Sequence, residues 1–246
     1  MDNIYINHFG VKIKNKNLNI NRENYAIIDK KVHNKVPQFI IDSYREEPEK
    51  RKRIYEDEEC TIYSDEWCIK HQNDCLKNYD YNMSFFEQLD EKDFNKFLNK
   101  LIKHSKKIKE VYNLNECKDS IGVYILVLDK YKQIYIGQSN SCIKTRIMRH
   151  WSTKKEFDRL IFGKVENSIL SIDSFGALDT TRIFVYPTYN SYEVEEQLVN
   201  LMDSNYLLNR TAGGIGSDHN YTNDKTMALL SIAANRKKHN FEEYNK

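Results

Sequence analysis

Apolar and polar residues alternate in short pieces through YINHFGVKIKNKNLNINRENYAIIDKK, residues 5 to 31, a two-residue period that predicts strands or a hairpin. From Pro37 the stretch PQFIIDSYREEPEKRKRIY turns helical, with Pro48 set to end or kink it, and the acid-rich EDEECTIYSDEW reads as loop. Asp90 can then cap a helix over EKDFNKFLNKLIKHSKKIKEVY, residues 91 to 112, in which Phe94, Phe97, Leu98, Leu101, Ile102, Ile108 and Tyr112 keep helical spacing. A boundary near residues 113 to 120 leads into the apolar run GVYILVL, the turn DKYK and the run QIYIG, a pair of neighbouring antiparallel strands. SNSCIKTRIMRHW follows as a helix capped by Ser139 or Ser141, with Ile143, Ile147 and Trp151 on its inner side. TRIFVYP predicts a third strand. SYEVEEQLVNLMDSNYLL predicts a helix with Ser191 as its cap and Val194, Leu198, Leu201 and Met202 on its apolar face. A glycine-rich TAGGIGS comes next, and the chain closes on a helical stretch with a basic tail.

The expected fold class is α/β in the α+β sense, a small antiparallel three-stranded sheet flanked by helices, with a mainly helical N-terminal annex. The expected divisions are residues 1–115 for the annex, 116–220 for a catalytic domain and 221–246 for the C-terminal helix and tail. Composition agrees with a folded chain, since 40% of 246 residues are apolar, enough to pack a core. The N-terminus lacks a basic start followed by an apolar stretch, and the longest apolar run, VYILVL, is far shorter than a membrane span of roughly 18 residues. A soluble, unexported, cytoplasmic protein is therefore expected, its five cysteines free thiols. The net charge of +2 does not by itself announce a polyanion partner. Yet Lys130, Lys132, Lys144, Arg146, Arg149, Lys154, Lys155, Arg159 and Lys164 cluster against only Glu156 and Asp158, either a solvated face or a surface for phosphates.

That basic cluster surrounds the chemistry. Gly122-Val123-Tyr124 and Tyr135-Ile136-Gly137 are mirrored tripeptides on adjacent strands, which lie about 5 Å apart, so both phenols reach one site when the register puts them on one face. Arg146 and His150 are four residues apart and share a helix face. Taken singly, each has a plain structural role: tyrosines as cross-strand packing, Arg146 as a solvated helix residue, and Glu193, Glu195 and Glu196 as an exposed helix start.

In order along the chain, these residues together with Asn209 in LLNRTAGG resemble the GIY-YIG nuclease superfamily over residues about 120–216, closest to its restriction-type and mobile-element members, with Val123 replacing the usual isoleucine. The resemblance implies a metal-dependent DNA endonuclease with Tyr124, Tyr135, Arg146, His150, Glu195 and Asn209 in its site. It implies that Tyr124 activates or orients the attacking water while Tyr135 and His150 complete the hydrogen-bonded network. It also implies one Mg²⁺ or Mn²⁺ on a helix carboxylate. Glu195 fits that place because Leu198 and Val199 follow it by three and four, as the family requires, and Glu196 competes with it.

The residue types suit the reaction: a carboxylate can share a Mg²⁺ with water and phosphate oxygens, and Arg146 offers phosphate a fixed fork of donors. A free phenol, with a pKa of about 10, is a poor base, so the reading needs either a phenolate stabilised by nearby cations or a proton relayed through the phenol. Asn209, with donors and an acceptor, is expected to fix a strand, a tyrosine or a loop rather than react. Cys60, Cys68, His71 and Cys75 make a three-cysteine, one-histidine set that admits a structural Zn²⁺, although no pair has Cys-x-x-Cys spacing. The expected partner is DNA, with a homodimer admitted and the annex supplying recognition or dimerisation. The alternatives are a structure-selective repair nuclease and a non-catalytic nucleic-acid-binding module on the same fold.

Overall fold

In the computed structural model, which describes residues 5–14 and 18–210, the early alternation forms an antiparallel hairpin of β1 (Tyr5–His8) and β2 (Val11–Lys14), with Ile6 opposite Ile13. Pro48 does divide the next helical stretch, into α1 (Gln38–Glu46) and the short α2 (Pro48–Lys52). The chain from residue 65 then forms the longest helix, α3 (Asp65–Gln88), which the apolar pattern did not announce. Its buried face carries Cys68, Cys75, Asn78 and Asn82 before Phe86, small thiols and amides at positions where helical periodicity is sought in large aliphatics. Ser64 starts it, its hydroxyl accepting from the Trp67 N–H at 3.2 Å.

Asp90 caps α4 (Glu91–Lys103) as expected, its carboxylate accepting from the Asp93 N–H at 2.8 Å, and Phe94, Leu98 and Leu101 are buried. The helix stops nine residues before the predicted end at Tyr112. Residues 109 and 110 instead form β3 (Lys109–Glu110), paired with Val185 and Phe184, and the Val111 N–H donates to the Ile183 carbonyl at 2.9 Å. Sheet hydrogen bonds available at a neighbouring strand outcompete continuation of a lysine-rich helix. Tyr112 is left exposed.

β4 (Gly122–Leu128), β5 (Gln133–Ser139) and β6 (Arg182–Pro187) complete an antiparallel sheet ordered β3-β6-β4-β5, four strands where three were expected. Between β5 and β6 lies α5 (Ile143–Ser152), capped by neither expected serine: the Cys142 sulfur accepts from the Thr145 N–H, while the Ser139 hydroxyl accepts from the Cys142 N–H one turn earlier. α6 (Ser191–Asn200) follows β6. Ser191 is not its cap but sits inside the first turn, its hydroxyl directed at the side-chain oxygens of Gln138 and Asn140.

Every residue of β4 is buried, because the strand has a packed layer on each face. Tyr124, Leu126 and Leu128 join a core with Cys75 and Phe86 of α3 and Ile143 and Ile147 of α5. Val123, Ile125 and Val127 join another with Phe94, Leu98 and Leu101 of α4 and Leu198 and Val199 of α6. Both cores include side chains from before and after residue 115. Among the described residues the chain is a mixed α/β protein of six α-helices and two small antiparallel sheets, and no helix is long and apolar enough to cross a membrane. The glycine-rich TAGGIGS and the expected C-terminal helix lie outside the described residues.

Leu98 is 1% exposed at the centre of the α4–sheet contact. Leu98→Ala is expected to lower unfolding stability by about 2–5 kcal/mol, through lost burial and the cavity left behind. Urea denaturation measures it, and a loss below about 1 kcal/mol would show that α4 is not integral to the core.

Candidate active site

The register decides where the phenols go. Tyr124 lies opposite Gly137, and Tyr135 lies opposite Leu126 two residues along β4, so both tyrosines project from the same face of the sheet. Their ring centroids are 6.2 Å apart. Gly137 makes this possible by having no side chain: a Cβ there would stand 2.5 Å from the Tyr124 hydroxyl oxygen and 2.8 Å from Cε1 of Tyr135. Gly122 has a different reason. Its φ of +135° and the backbone of Tyr186 against it leave no room for a side chain.

α5 lies across this face and presents Arg146 and His150. The His150 ring is 3% exposed, and its Nε2 is 2.7 Å from the Tyr124 hydroxyl. Its Nδ1 is 2.5 Å from the carboxylate of Asp173, a residue in the segment joining α5 to β6. The Tyr135 ring meets the imidazole edge-on at 5.2 Å. From the opposite layer α6 contributes Glu195, which is 5% exposed and lines the cleft, whereas Glu193 and Glu196 face solvent. Asn209 braces the outer edge of β5. Its Nδ2 donates to the Ile136 carbonyl at 2.7 Å and its Oδ1 accepts from the Ile136 N–H at 3.0 Å, and the neighbouring Leu208 N–H donates to the Ile134 carbonyl. All six residues singled out in the sequence, Tyr124, Tyr135, Arg146, His150, Glu195 and Asn209, line one open cleft of about 270 Å³.

Burial pushes the Tyr124 phenol well above its ordinary pKa and the nearby Tyr135 adds to this, while the Arg146 charge pulls the other way and loses. Burial likewise raises Tyr135, with the Glu195 charge adding to it. Both are phenols at neutral pH, which favours proton relay over a standing phenolate. Burial works against the Arg146 charge, but the phenols of Tyr124 and Tyr135 outweigh it and hold Arg146 above its ordinary value. Burial also opposes ionisation of Asp173. The hydrogen bond from His150, with the charges of Lys155 and Arg146, overcomes it and keeps Asp173 below the usual carboxylate range.

Among the described residues no three histidine, cysteine or acidic side chains converge as a metal cage. Glu195 is the cleft carboxylate that could share a hard divalent cation with water molecules, a cation of that kind needing few protein ligands. The thiol set is arranged otherwise. Cys68, His71 and Cys75 follow one another along α3, where the His71 ring stacks on Trp67 and its Nε2 donates to the Phe157 carbonyl at 2.9 Å. Burial raises the Cys75 thiol to about 12 and lifts those of Cys68 and Cys60, which disfavours the thiolates zinc needs.

Two charged cleft residues escaped the sequence reading, Asp173 and Arg210. Asp173 stands in LSIDSFG, a stretch without periodicity, and its distance from His150 exists only in space. Arg210 donates to the carbonyls of Arg159, Leu160 and Ile169, and burial lowers its pKa to about 10. It ties the α5–β6 segment to the chain beside Asn209.

Compared with known proteins, the chain gives no significant match to a family model, a curated sequence or a solved structure.

Gly137→Ala is expected to displace the Tyr124 phenol and lower the thermal midpoint by several degrees, because the added methyl meets ring atoms that are themselves packed. A midpoint and near-ultraviolet circular dichroism matching the unsubstituted protein would show that the Tyr124 ring does not lie across Gly137.

Proposed function

We propose that this protein is a metal-dependent endonuclease of GIY-YIG type that hydrolyses phosphodiester bonds in DNA, in the manner of restriction or mobile-element nucleases. The observation that carries the reading is the convergence of two phenols, a guanidinium, an imidazole and a buried carboxylate on one cleft from β4, β5, α5 and α6. A Mg²⁺ or Mn²⁺ held by Glu195 would neutralise charge on the phosphate oxygens. Arg146 grips the same phosphate with its fixed fork of donors and remains charged throughout the working range. The Tyr124 hydroxyl, already hydrogen-bonded to His150, stands between an incoming water and the imidazole. Tyr135 packs beside both rings and limits their orientations. Asn209 fixes the strand that carries Tyr135 and takes no part in bond-making.

Incubation of supercoiled plasmid with the protein tests the reading: nicking or linearisation with Mg²⁺ and none with EDTA is expected. Retarded migration without cutting would instead make the protein a binder. Glu195→Ala is expected to abolish cleavage and leave DNA affinity within a few-fold, whereas Glu196→Ala, at an exposed position, should cut normally. The reverse result would transfer the ligand role to Glu196.

Tyr124→Phe keeps the ring and the packing and is expected to reduce cleavage at least about a hundredfold, the scale of a lost proton-transfer group. Arg146→Lys should lose most activity while remaining folded, since a point charge does not reproduce the fork. Rates within a few-fold of the unsubstituted protein in either variant would remove that side chain from the mechanism.

A further inference from the structure

Asp173 is carried on a rigid support. It lies in a short 3₁₀ turn, Ile172–Ser174, where its own N–H donates to the Ser171 hydroxyl at 3.3 Å and its carbonyl accepts from the Lys155 N–H at 3.3 Å. The segment leading into that turn is held by α3, because Asn78 donates to the carbonyls of Val165 and Ser168 and Asn82 donates to that of Ser168. Arg210 holds the next carbonyl, that of Ile169. The carboxylate therefore arrives at His150 on a preset backbone, against a ring that is itself almost fully buried.

With the ring neutral, two hydrogen bonds then leave one arrangement of protons. An ionised carboxylate only accepts, so Nδ1 of His150 must donate to Asp173. A neutral imidazole has a single N–H, so Nε2 keeps its lone pair, and the Tyr124 hydroxyl 2.7 Å away must donate to it. The charged and titratable groups around the ring are consistent with this order: Tyr124 and Tyr135 from the sheet, Arg146 from the same helix, and Lys155 beside Asp173.

We infer that Asp173 is a positioning residue that fixes His150 as its Nδ1–H tautomer and thereby makes Nε2 the acceptor of the Tyr124 proton. The consequence for catalysis rests on the nuclease reading above; the tautomer itself does not. In the reaction, the water oxygen forms the new bond to phosphorus as one water proton passes to the Tyr124 oxygen and the Tyr124 proton passes to Nε2. The bond from phosphorus to the leaving oxygen breaks, and that oxygen takes a proton from solvent. The imidazolium keeps its Nδ1–H on the Asp173 carboxylate and later returns the extra proton to solvent, which restores the starting state. Tyr124 ends as a phenol, so no phenolate has to persist in a buried site.

The full chain labelled with ¹⁵N-histidine, without metal or DNA and at a pH where the ring is neutral, provides the direct test. Nitrogen chemical shifts distinguish a protonated from an unprotonated ring nitrogen, and His150→Gln identifies which of the seven histidines is concerned. The expected spectrum has His150 protonated at Nδ1 and bare at Nε2. In Asp173→Asn, whose amide can donate as well as accept, the expected result is the opposite or a mixed tautomer. Plasmid cleavage should then fall substantially in kcat, toward the roughly 10⁴-fold loss known when the aspartate that orients a serine protease's catalytic histidine becomes asparagine, with DNA affinity within a few-fold. Asp173→Glu should retain the tautomer and cut better than Asp173→Asn. An Nε2–H tautomer in the unsubstituted protein would overturn the inference, and so would an unchanged tautomer with undiminished cleavage in Asp173→Asn. Absence of cleavage by the unsubstituted protein, with the expected tautomer present, would sink the nuclease reading and leave the tautomer assignment standing.

Discussion

A strand with no solvent-facing side imposes its requirements on everything around it, and β4 is that strand. Six of its side chains, Val123 to Leu128, are fully buried. At about 1.5–3 kcal/mol for each large apolar side chain, their burial is comparable to the whole net stability of a typical domain, about 5–15 kcal/mol. That gain is realised only if both faces are covered at once. It obliges α3 and α5 to sit on one face and α4 and α6 on the other. The site is a consequence, since one position on this strand, Tyr124, ends in a hydroxyl that cannot be left in an apolar core and is met by His150.

The residues before 115 do more than adjoin this core. Asp179, in the α5–β6 segment, accepts from Asn19, from the Ile20 N–H and from the Tyr131 hydroxyl, and so binds the early chain to the sheet. Asn78 and Asn82 hold carbonyls in the same segment, as does His71 at Phe157. Asp179, Asn78 and Asn82 are buried and His71 is partly so, and each hydrogen-bonds to backbone outside the α-helices and strands. The outcome is that an irregular stretch of about 30 residues between α5 and β6 presents a carboxylate at a set point against the buried His150 imidazole.

The glycines show how local chemistry and tertiary contact divide the work. Gly122 is required by its own backbone angle and by the strand beside it. Gly137 has ordinary extended geometry and is required only because the Tyr124 ring lies over it. The mirrored tripeptides look equivalent in the sequence and are not equivalent in space.

Alternation and helical spacing by themselves determined β4, β5, β6, α5 and the start of α4, because large aliphatic side chains at regular intervals leave few ways to bury them. The order of Tyr124, Tyr135, Arg146, His150, Glu195 and Asn209 was equally legible, since each sits on such an element at a spacing fixed by it. α3 was not, because its buried face is built mostly from cysteine and asparagine rather than large aliphatics, and Asn78 and Asn82 turn inward to carbonyls of the α5–β6 segment. Nor was the end of α4, where β6 offered better partners than a longer helix. Which of three neighbouring glutamates faces inward depended on how α6 rolls against the sheet, and that placed Glu195 in the cleft and left Glu193 and Glu196 in water. Asp173 was beyond any reading of the chain, for it lies 23 residues from His150 in sequence and 2.5 Å from it in space. Periodicity records how an element buries itself, whereas a hydrogen bond between an irregular segment and a helix exists only after both have been packed.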